Sequence, residues 1–281
     1  MNIGMNLLLW TGHVTAEHYP VLAALKKTGY DGVEIPVFEG DLAHFKAIGA
    51  ELKKLGLRST AVTVVSPEAN PCSSNAAIRH AAVDRLKWVI DMLHAFGGET
   101  LCGPYHSPLG VFSGHGPTAD EKKHAADTLR VIAEYADQAK VNLAIEYLNR
   151  FECYLLTTAV DAAALVKSVN HPNFGCMYDT FHAHIEEKNV SKAVEAVAHC
   201  MKHVHISEND RGTPGSGQVN WKDSFSAIKK TGYDGWLTIE AFGRALPELA
   251  AATRVWRDFF PSREDVYERG IKFIKEQWSK A

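Results

Sequence analysis

Eight short runs rich in apolar and β-branched residues punctuate the chain: Ile3–Trp10, Gly32–Val37, Arg58–Val65, Glu99–Gly103, Asn142–Tyr147, Phe174–Asp179, Lys202–Ser207 and Gly235–Glu240. Several are almost continuously apolar, as strands buried on both faces must be. Longer stretches with helical periodicity lie between them. Residues 75–96 place Ile78, Ala82, Leu86, Val89, Ile90 and Leu93 three or four positions apart, and residues 120–139 do the same with Ala125, Leu129, Ile132, Ala133 and Ala136. Such stripes predict helices packed on a sheet. Strand–helix alternation repeated eight times predicts a closed (β/α)8 TIM barrel rather than an open doubly wound sheet. No Ser/Gly tract, charge block or low-complexity segment interrupts residues 1–281, so a single barrel domain is expected. The amphipathic tail 263–281 is read as capping the barrel bottom, with a dimer contact as the alternative.

A weak internal repeat supports the same layout. Lys26-Lys-Thr-Gly-Tyr-Asp-Gly32 returns as Lys229-Lys-Thr-Gly-Tyr-Asp-Gly235, before the second and the eighth apolar run. In each copy a Gly ends a helix and an Asp-Gly pair turns the chain into a strand. The repeat is therefore read as scaffold, two equivalent turns at the bottom of one barrel.

Composition narrows the function. With 46% hydrophobic and 22% charged residues the chain is an ordinary globular one, neither disordered nor collagen-like. Its net charge of −3 lacks the basic footprint of a nucleic-acid binder. No apolar run approaches the ~20 residues of a membrane span, and the first residues lack the basic and apolar regions of a signal peptide. The five cysteines are Cys72, Cys102, Cys153, Cys176 and Cys200; their wide spacing and odd number argue for reduced thiols and a cytoplasmic location.

In such a barrel the chemistry belongs at the C-terminal strand ends. Four ionisable residues close consecutive late runs: Glu146, Asp179, His205 and Glu240, separated by 33, 26 and 35 residues. One repeat unit is about 35 residues long, so each step is roughly one unit and the four side chains converge on one rim. Three carboxylates and an imidazole cannot share a partly buried place unpaired, and a divalent cation resolves the conflict. An oxygen-rich set with one imidazole suits Mn²⁺, Co²⁺ or Mg²⁺. Asn149, Arg150, Glu152, Thr180, His182, His184, Glu208, Asn209 and Arg211 follow these positions. They are expected to face the same mouth, a setting for a polyhydroxylated ligand.

Several of these segments resemble the ketose 3-epimerases, which include the D-tagatose, D-psicose and L-ribulose 3-epimerases of the xylose-isomerase-like barrels. The matching blocks are Glu146-Tyr-Leu-Asn-Arg-Phe-Glu152, Asp179-Thr-Phe-His182-Ala-His-Ile-Glu-Glu187, His203-Val-His205-Ile-Ser-Glu-Asn-Asp-Arg211, Pro214-Gly-Ser-Gly217-Gln-Val-Asn-Trp221, Glu240 and Arg254-Val-Trp-Arg-Asp258. The resemblance implies that Glu146, Asp179, His205 and Glu240 hold one divalent ion, Mn²⁺ foremost. It implies that Glu146 and Glu240 are the two catalytic carboxylates, and that Glu152, His182 and Arg211 hold the C1–C2 end of a small-molecule ketose. A homo-oligomer, dimer or tetramer, is expected with it, and no nucleic-acid or membrane partner. The chemistry is coherent. The C3 hydrogen is α to the C2 carbonyl, and inversion through an enediolate needs one carboxylate on each face. The chain departs from the resemblance at Asn6-Leu-Leu-Leu-Trp10 and in the loop 104–115, where His115 has no assigned role and His106 reads as a surface or loop-packing residue. An aldose–ketose isomerase would share the metal but move a proton between C1 and C2. An abasic-site endonuclease would need more metals and a basic face. A non-catalytic sugar-binding barrel would have no use for two opposed carboxylates.

Overall fold

The computed structural model describes all 281 residues, and its eight parallel strands close into a barrel in chain order. They are β1 Asn2–Asn6, β2 Gly32–Pro36, β3 Arg58–Val62, β4 Thr100–Gly103, β5 Asn142–Ile145, β6 Phe174–Asp179, β7 Met201–Ile206 and β8 Trp236–Ile239. Closure is made by β8 on β1, in the register Asn2↔Trp236 to Met5↔Ile239. Ten α-helices surround the barrel: α1 Tyr19–Thr28, α2 Leu42–Leu55, α3 Ala76–Phe96, α4 Ala119–Gln138, α5 Ala159–Val169, α6 Thr180–Glu186, α7 Val190–Val197, α8 Trp221–Lys230, α9 Pro247–Thr253 and α10 Arg263–Lys280. The expected stripes face inward, with Leu86, Val89, Ile90 and Leu93 of α3 and Leu129, Ile132 and Ala136 of α4 all buried. The tail helix α10 packs onto α8 and β8 through Val266, Ile271 and Ile274, and the Tyr30 hydroxyl donates to its Tyr267 carbonyl at 2.8 Å. No helix is long and apolar enough to cross a membrane.

The repeated turns behave alike. Gly29 after α1 and Gly232 after α8 both take the left-handed conformation, with φ of 102° and 77°. The two Asp residues then converge on the first strand. The Asp31 carboxylate accepts from the Ile3 amide at 2.8 Å, and Asp234 pairs with the amino terminus. The turns thus tie β2 and β8 to the start of β1, where the barrel closes.

Strand ends are where expectation and structure part. The apolar run Ile3–Trp10 is not one strand. β1 stops at Asn6, whose side chain accepts from the Leu8 amide at 2.8 Å and opens a 3₁₀ turn over Leu7–Leu9. An apolar run records burial and not extension, and Asn competes for its own neighbouring amides. Glu146 and Glu240 likewise sit one residue past β5 and β8. Each is held by a single backbone bond, Glu146 N to Gly103 O at 3.0 Å and Glu240 N to Ile206 O at 3.2 Å.

The barrel interior is divided. Val62, Cys102, Ala144 and Met177 of β3 to β6 join Leu8 and Phe242 in a small apolar cluster. Asn6, Glu34, His203, His205 and Thr238, from β1, β2, β7 and β8, are buried polar residues. Backbones approach closely at Gly32, where a Cβ would lie 2.3 Å from Arg58 O and 2.5 Å from the Trp236 ring. Gly32→Ala should therefore cost more than about 2 kcal/mol. Gly232→Ala, with nothing within 4 Å, should cost only the left-handed backbone penalty of ~1–2 kcal/mol. Urea midpoints check this, and equal losses would show that the close approach is not a constraint.

Candidate active site

Four strand ends deliver Glu146, Asp179, His205 and Glu240 to one point, where a ligand atom from each lies within 4.8 Å of the others. All four residues are buried, none more than 4% exposed. Asp179 ends β6 and caps α6. Its Oδ1 accepts from the amides of Phe181 at 2.6 Å and His182 at 3.4 Å, while Oδ2 turns toward His205. The His205 Nδ1 atom is 3.4 Å from Glu240 Oε1 and 3.6 Å from Asp179 Oδ2, and it has no hydrogen-bond partner.

Glu152, His182 and Arg211 stand beside this point. The turn after β5 brings the Asn149 side chain to Glu152 at 2.8 Å, and its backbone amide donates to His182 Nδ1 at 2.9 Å. On the other side of the ring, Nε2 lies 3.1 Å from Arg211 Nη2 and 3.4 Å from Glu146 Oε1. Arg211 adopts φ 64°, a left-handed conformation uncommon for a side chain of this size. Backbone bonds to Glu208 O and from Phe242 N fix it there. Its guanidinium carbon lies 3.7 Å from the Phe181 ring centroid and 4.9 Å from that of Phe242. Its Nη1 reaches Glu240 at 2.6 Å, Ser207 Oγ at 2.9 Å and Asp179 at 3.4 Å.

The remaining flanking groups turn elsewhere. Arg150 is exposed and pairs with Glu186 at 2.9 Å, and His184 faces outward. Thr180 Oγ1 donates to the Ser207 carbonyl, and Asn209 Oδ1 accepts from the Gln218 amide. Glu208 takes the amides of Gly215 and Val219 and the Trp221 indole, so it shapes the β7–α8 loop. His106 is not a surface residue. It is fully buried, with Ser107 Oγ 2.9 Å from Nδ1, and burial lowers its pKa to about 3. His115 is exposed. Sequence reasoning missed Glu34, in the middle of β2. It lies behind His205, with its Oε1 2.8 Å from His205 Nε2. One signal was available: an acid inside an otherwise apolar strand must be buried, and a buried acid needs partners.

Charge balance shows what the site lacks. Four buried carboxylates, Glu146, Glu152, Asp179 and Glu240, act on one guanidinium, and Glu34 lies behind His205. Burial, and then the charge of Glu240, push the Glu146 carboxyl well above the usual range. Burial raises Glu152 as well. Burial acts against Glu240 too, yet His205 and Arg211 outweigh it and hold its pKa low. For His205, burial opposes the charge, but Glu34 and Glu240 drive its pKa well above the ordinary value. Burial lowers His182 to about 3, which keeps it neutral. The residues fit a divalent cation on three counts: a hard, oxygen-rich donor set, an unpartnered buried imidazole nitrogen among the carboxylates, and a deficit of positive charge.

A cavity of about 670 Å³ opens above these groups. Glu146, Glu152, His182, Arg211 and Glu240 form its polar floor, and Leu8, Phe38, Val62, Leu109, Phe242 and Leu249 are among its apolar walls. Polarity is thus concentrated at one end of the cavity.

Comparison with known proteins shows the family. Residues 22–277 match the Xylose isomerase-like TIM barrel family. The chain is 30% identical to an L-ribulose 3-epimerase of Methylomonas sp., over 99% of this chain and 98% of that protein. It is 29% identical to a D-psicose 3-epimerase of Agrobacterium fabrum, over 92% of this chain and 91% of that protein. It superposes on the crystal structure of a D-allulose 3-epimerase from Methylomonas sp. in complex with D-allulose with a TM-score of 0.92. That match has 29% identity and covers 99% of this chain and 97% of the other. Fold, strand-end chemistry and full-length similarity agree, and the chain belongs to the xylose isomerase-like TIM barrel family, among its ketose 3-epimerases.

Proposed function

We propose that this protein epimerises a free ketose at C3, with one divalent cation held by Glu146, Asp179, His205 and Glu240. The observation that carries this reading is the pair Glu146 and Glu240. Two carboxylates reach the floor of one cavity from strands β5 and β8, with His182 and Arg211 between them and the β6–β7 side. The C3 hydrogen of a ketose is acidic because the C2 carbonyl stabilises the resulting enediolate. One Glu removes that proton from one face of the sugar, and the other returns a proton to the opposite face. A divalent cation, Mn²⁺ foremost with Co²⁺ or Mg²⁺ as substitutes, supplies Lewis-acid stabilisation of the negative charge that develops.

The remaining residues position the sugar. His182 presents its Nε2 edge and Arg211 its guanidinium to the C1–C2 end, and Glu152 accepts from a hydroxyl there. The Phe181 and Phe242 rings hold the guanidinium plane, so its donors are already oriented when substrate arrives. The apolar walls exclude water from the reacting carbon. The cavity lining contains no lysine, and its single arginine is committed to Glu240 and Asp179, which favours an unphosphorylated substrate. Ketopentoses and ketohexoses, including L-ribulose and D-psicose, form the panel to test. Five free cysteines support a reducing, cytoplasmic setting. Exposed Phe151 and Trp256 support the expected homo-oligomer.

Turnover in D₂O tests the reaction. NMR should show deuterium at C3 of the epimer with no aldose; an aldose labelled at C1 or C2 would identify an isomerase instead. Chelation should abolish turnover and Mn²⁺ restore it, whereas full activity after verified metal removal would contradict the reading. Glu146→Gln and Glu240→Gln should each lower kcat by roughly 10²-fold or more. Arg211→Ala should reduce kcat/KM by about 10²-fold while one ion per chain is still bound. Loss of the ion in that variant would show that Arg211 organises the metal and not the sugar.

A further inference from the structure

Glu34 lies in the middle of β2 with no exposed surface, between the buried Val33 and Ile35. Its strand neighbours are Asn6 on β1 and Thr60 on β3, and both turn their side chains to it. Asn6 Nδ2 donates to Oε1 at 2.9 Å, and Thr60 Oγ1 donates to Oε2 at 2.8 Å. Cys102 Sγ donates to Oε2 at 3.1 Å from β4, and His203 Nε2 lies 2.9 Å away. From β7, across the barrel interior, His205 Nε2 approaches Oε1 to 2.8 Å. A carboxylate only accepts, so the His205 proton that meets it sits on Nε2. Its other nitrogen, Nδ1, faces Asp179 and Glu240 at 3.6 and 3.4 Å and has no hydrogen-bond partner, so it is the ring nitrogen placed to meet a cation. Asn6 extends the arrangement, because its Nδ2 also lies 3.3 Å from Glu240 Oε1.

We infer that Glu34 is a positioning residue for the metal centre: through Nε2 it fixes the His205 tautomer and ring orientation, and through Asn6 it aligns Glu240. The inference rests on the reading of His205 and Glu240 as metal ligands. A carboxylate behind a ligating imidazole does two things. It holds the ring so that no rotation is needed on binding, and it makes the far nitrogen a better donor; loss of such a partner typically costs 10–100-fold in metal affinity. Glu34, Cys102, His203 and His205 also lie close enough together to be considered as a metal set themselves. Cys102 Sγ and His205 Nε2 are hydrogen-bonded to Glu34 at 3.1 and 2.8 Å, and the ring proton occupies the space between His205 and Glu34.

The test is Mn²⁺ titration followed by the electron paramagnetic resonance of free Mn²⁺, which reads affinity and stoichiometry without turnover. Wild type should bind one ion per chain. Glu34→Gln keeps the volume and removes the charge, and it should bind 10–100-fold more weakly; Glu34→Asp should fall between the two. Thr60→Val removes a donor to Glu34 but leaves the His205 bond, so it should bind within about twofold of wild type while its unfolding midpoint drops. Unchanged affinity in Glu34→Gln would overturn the inference. So would a loss in Thr60→Val equal to that in Glu34→Gln, because the effect would then be packing. A second ion per chain that disappears in Cys102→Ala would overturn it too, since Nε2 would then be a ligand. Failure of wild type to bind any divalent ion would instead overturn the metal reading beneath it. Should Glu34→Gln not fold, wild type alone decides. In Mg²⁺-loaded protein, ¹⁵N NMR should place the His205 proton on Nε2 as a slowly exchanging, hydrogen-bonded resonance, and a proton on Nδ1 would refute the inference.

Discussion

Burial of negative charge governs the top of this barrel. Glu34, Glu146, Glu152, Asp179 and Glu240 are all withdrawn from water, and Arg211 is the one permanent cation among them. Such a group of acids is costly unless each charge is paired and hydrogen-bonded. The structure answers in part. Arg211 is clamped between two aromatic rings and spans Asp179 and Glu240, Asp179 caps a helix, and Glu34 collects donors from three strands and one facing imidazole. What remains is the gap around His205 Nδ1. A divalent cation there would balance the acids and would also supply Lewis-acid stabilisation for deprotonation next to a carbonyl. Folding and chemistry thus impose the same demand on one place.

The barrel supplies the precision. Glu34, Glu146, Asp179 and Glu240 are placed by a strand, or by one backbone bond beyond a strand, and only Glu152 stands on the β5–α5 loop, held by Asn149. Neighbouring strands brace each other through Asn6, Glu34 and Thr60, which are register partners across β1, β2 and β3. The division of the interior matters as much. Val62, Ala144 and Met177 make an apolar patch on the β3 to β6 side, while the polar network is centred on β1, β2, β7 and β8 and reaches Thr60 of β3 and Cys102 of β4. A dry wall opposite a hydrogen-bonded one keeps the low-dielectric setting in which a fixed donor has its full effect.

Much of this was legible in the chain. The eight apolar runs, the spacing of Glu146, Asp179, His205 and Glu240, and the turn repeat at Gly29 and Gly232 all report local physics. Strand burial, the length of one repeat unit and left-handed helix termini leave direct traces in residue order. What escaped was set by three-dimensional context. Glu34 belongs to no strand end, and its meaning comes from His205, which is 171 residues away in sequence. The end of β1 at Asn6 depends on that side chain capping its own neighbours. Arg150, His184 and Glu208 read like pocket residues by position. Short-range partners, Glu186 for Arg150 and the loop amides for Glu208, claim two of them, and helix phase turns His184 to solvent. Of the two readings of His106, surface or loop-packing, the second holds: it is fully buried with Ser107 Oγ 2.9 Å from its Nδ1, a burial that residue order in a loop does not record.

The central claim, that one cation answers the buried charge at four strand ends, is tested most directly by anomalous diffraction from Mn²⁺-soaked crystals. We expect a single anomalous peak per chain, within bonding distance of Glu146, Asp179, Glu240 and the Nδ1 atom of His205, with Glu34 still bonded to Nε2. No peak at saturating Mn²⁺, or a peak on the Glu34, Cys102 and His203 side of the His205 ring, would contradict it.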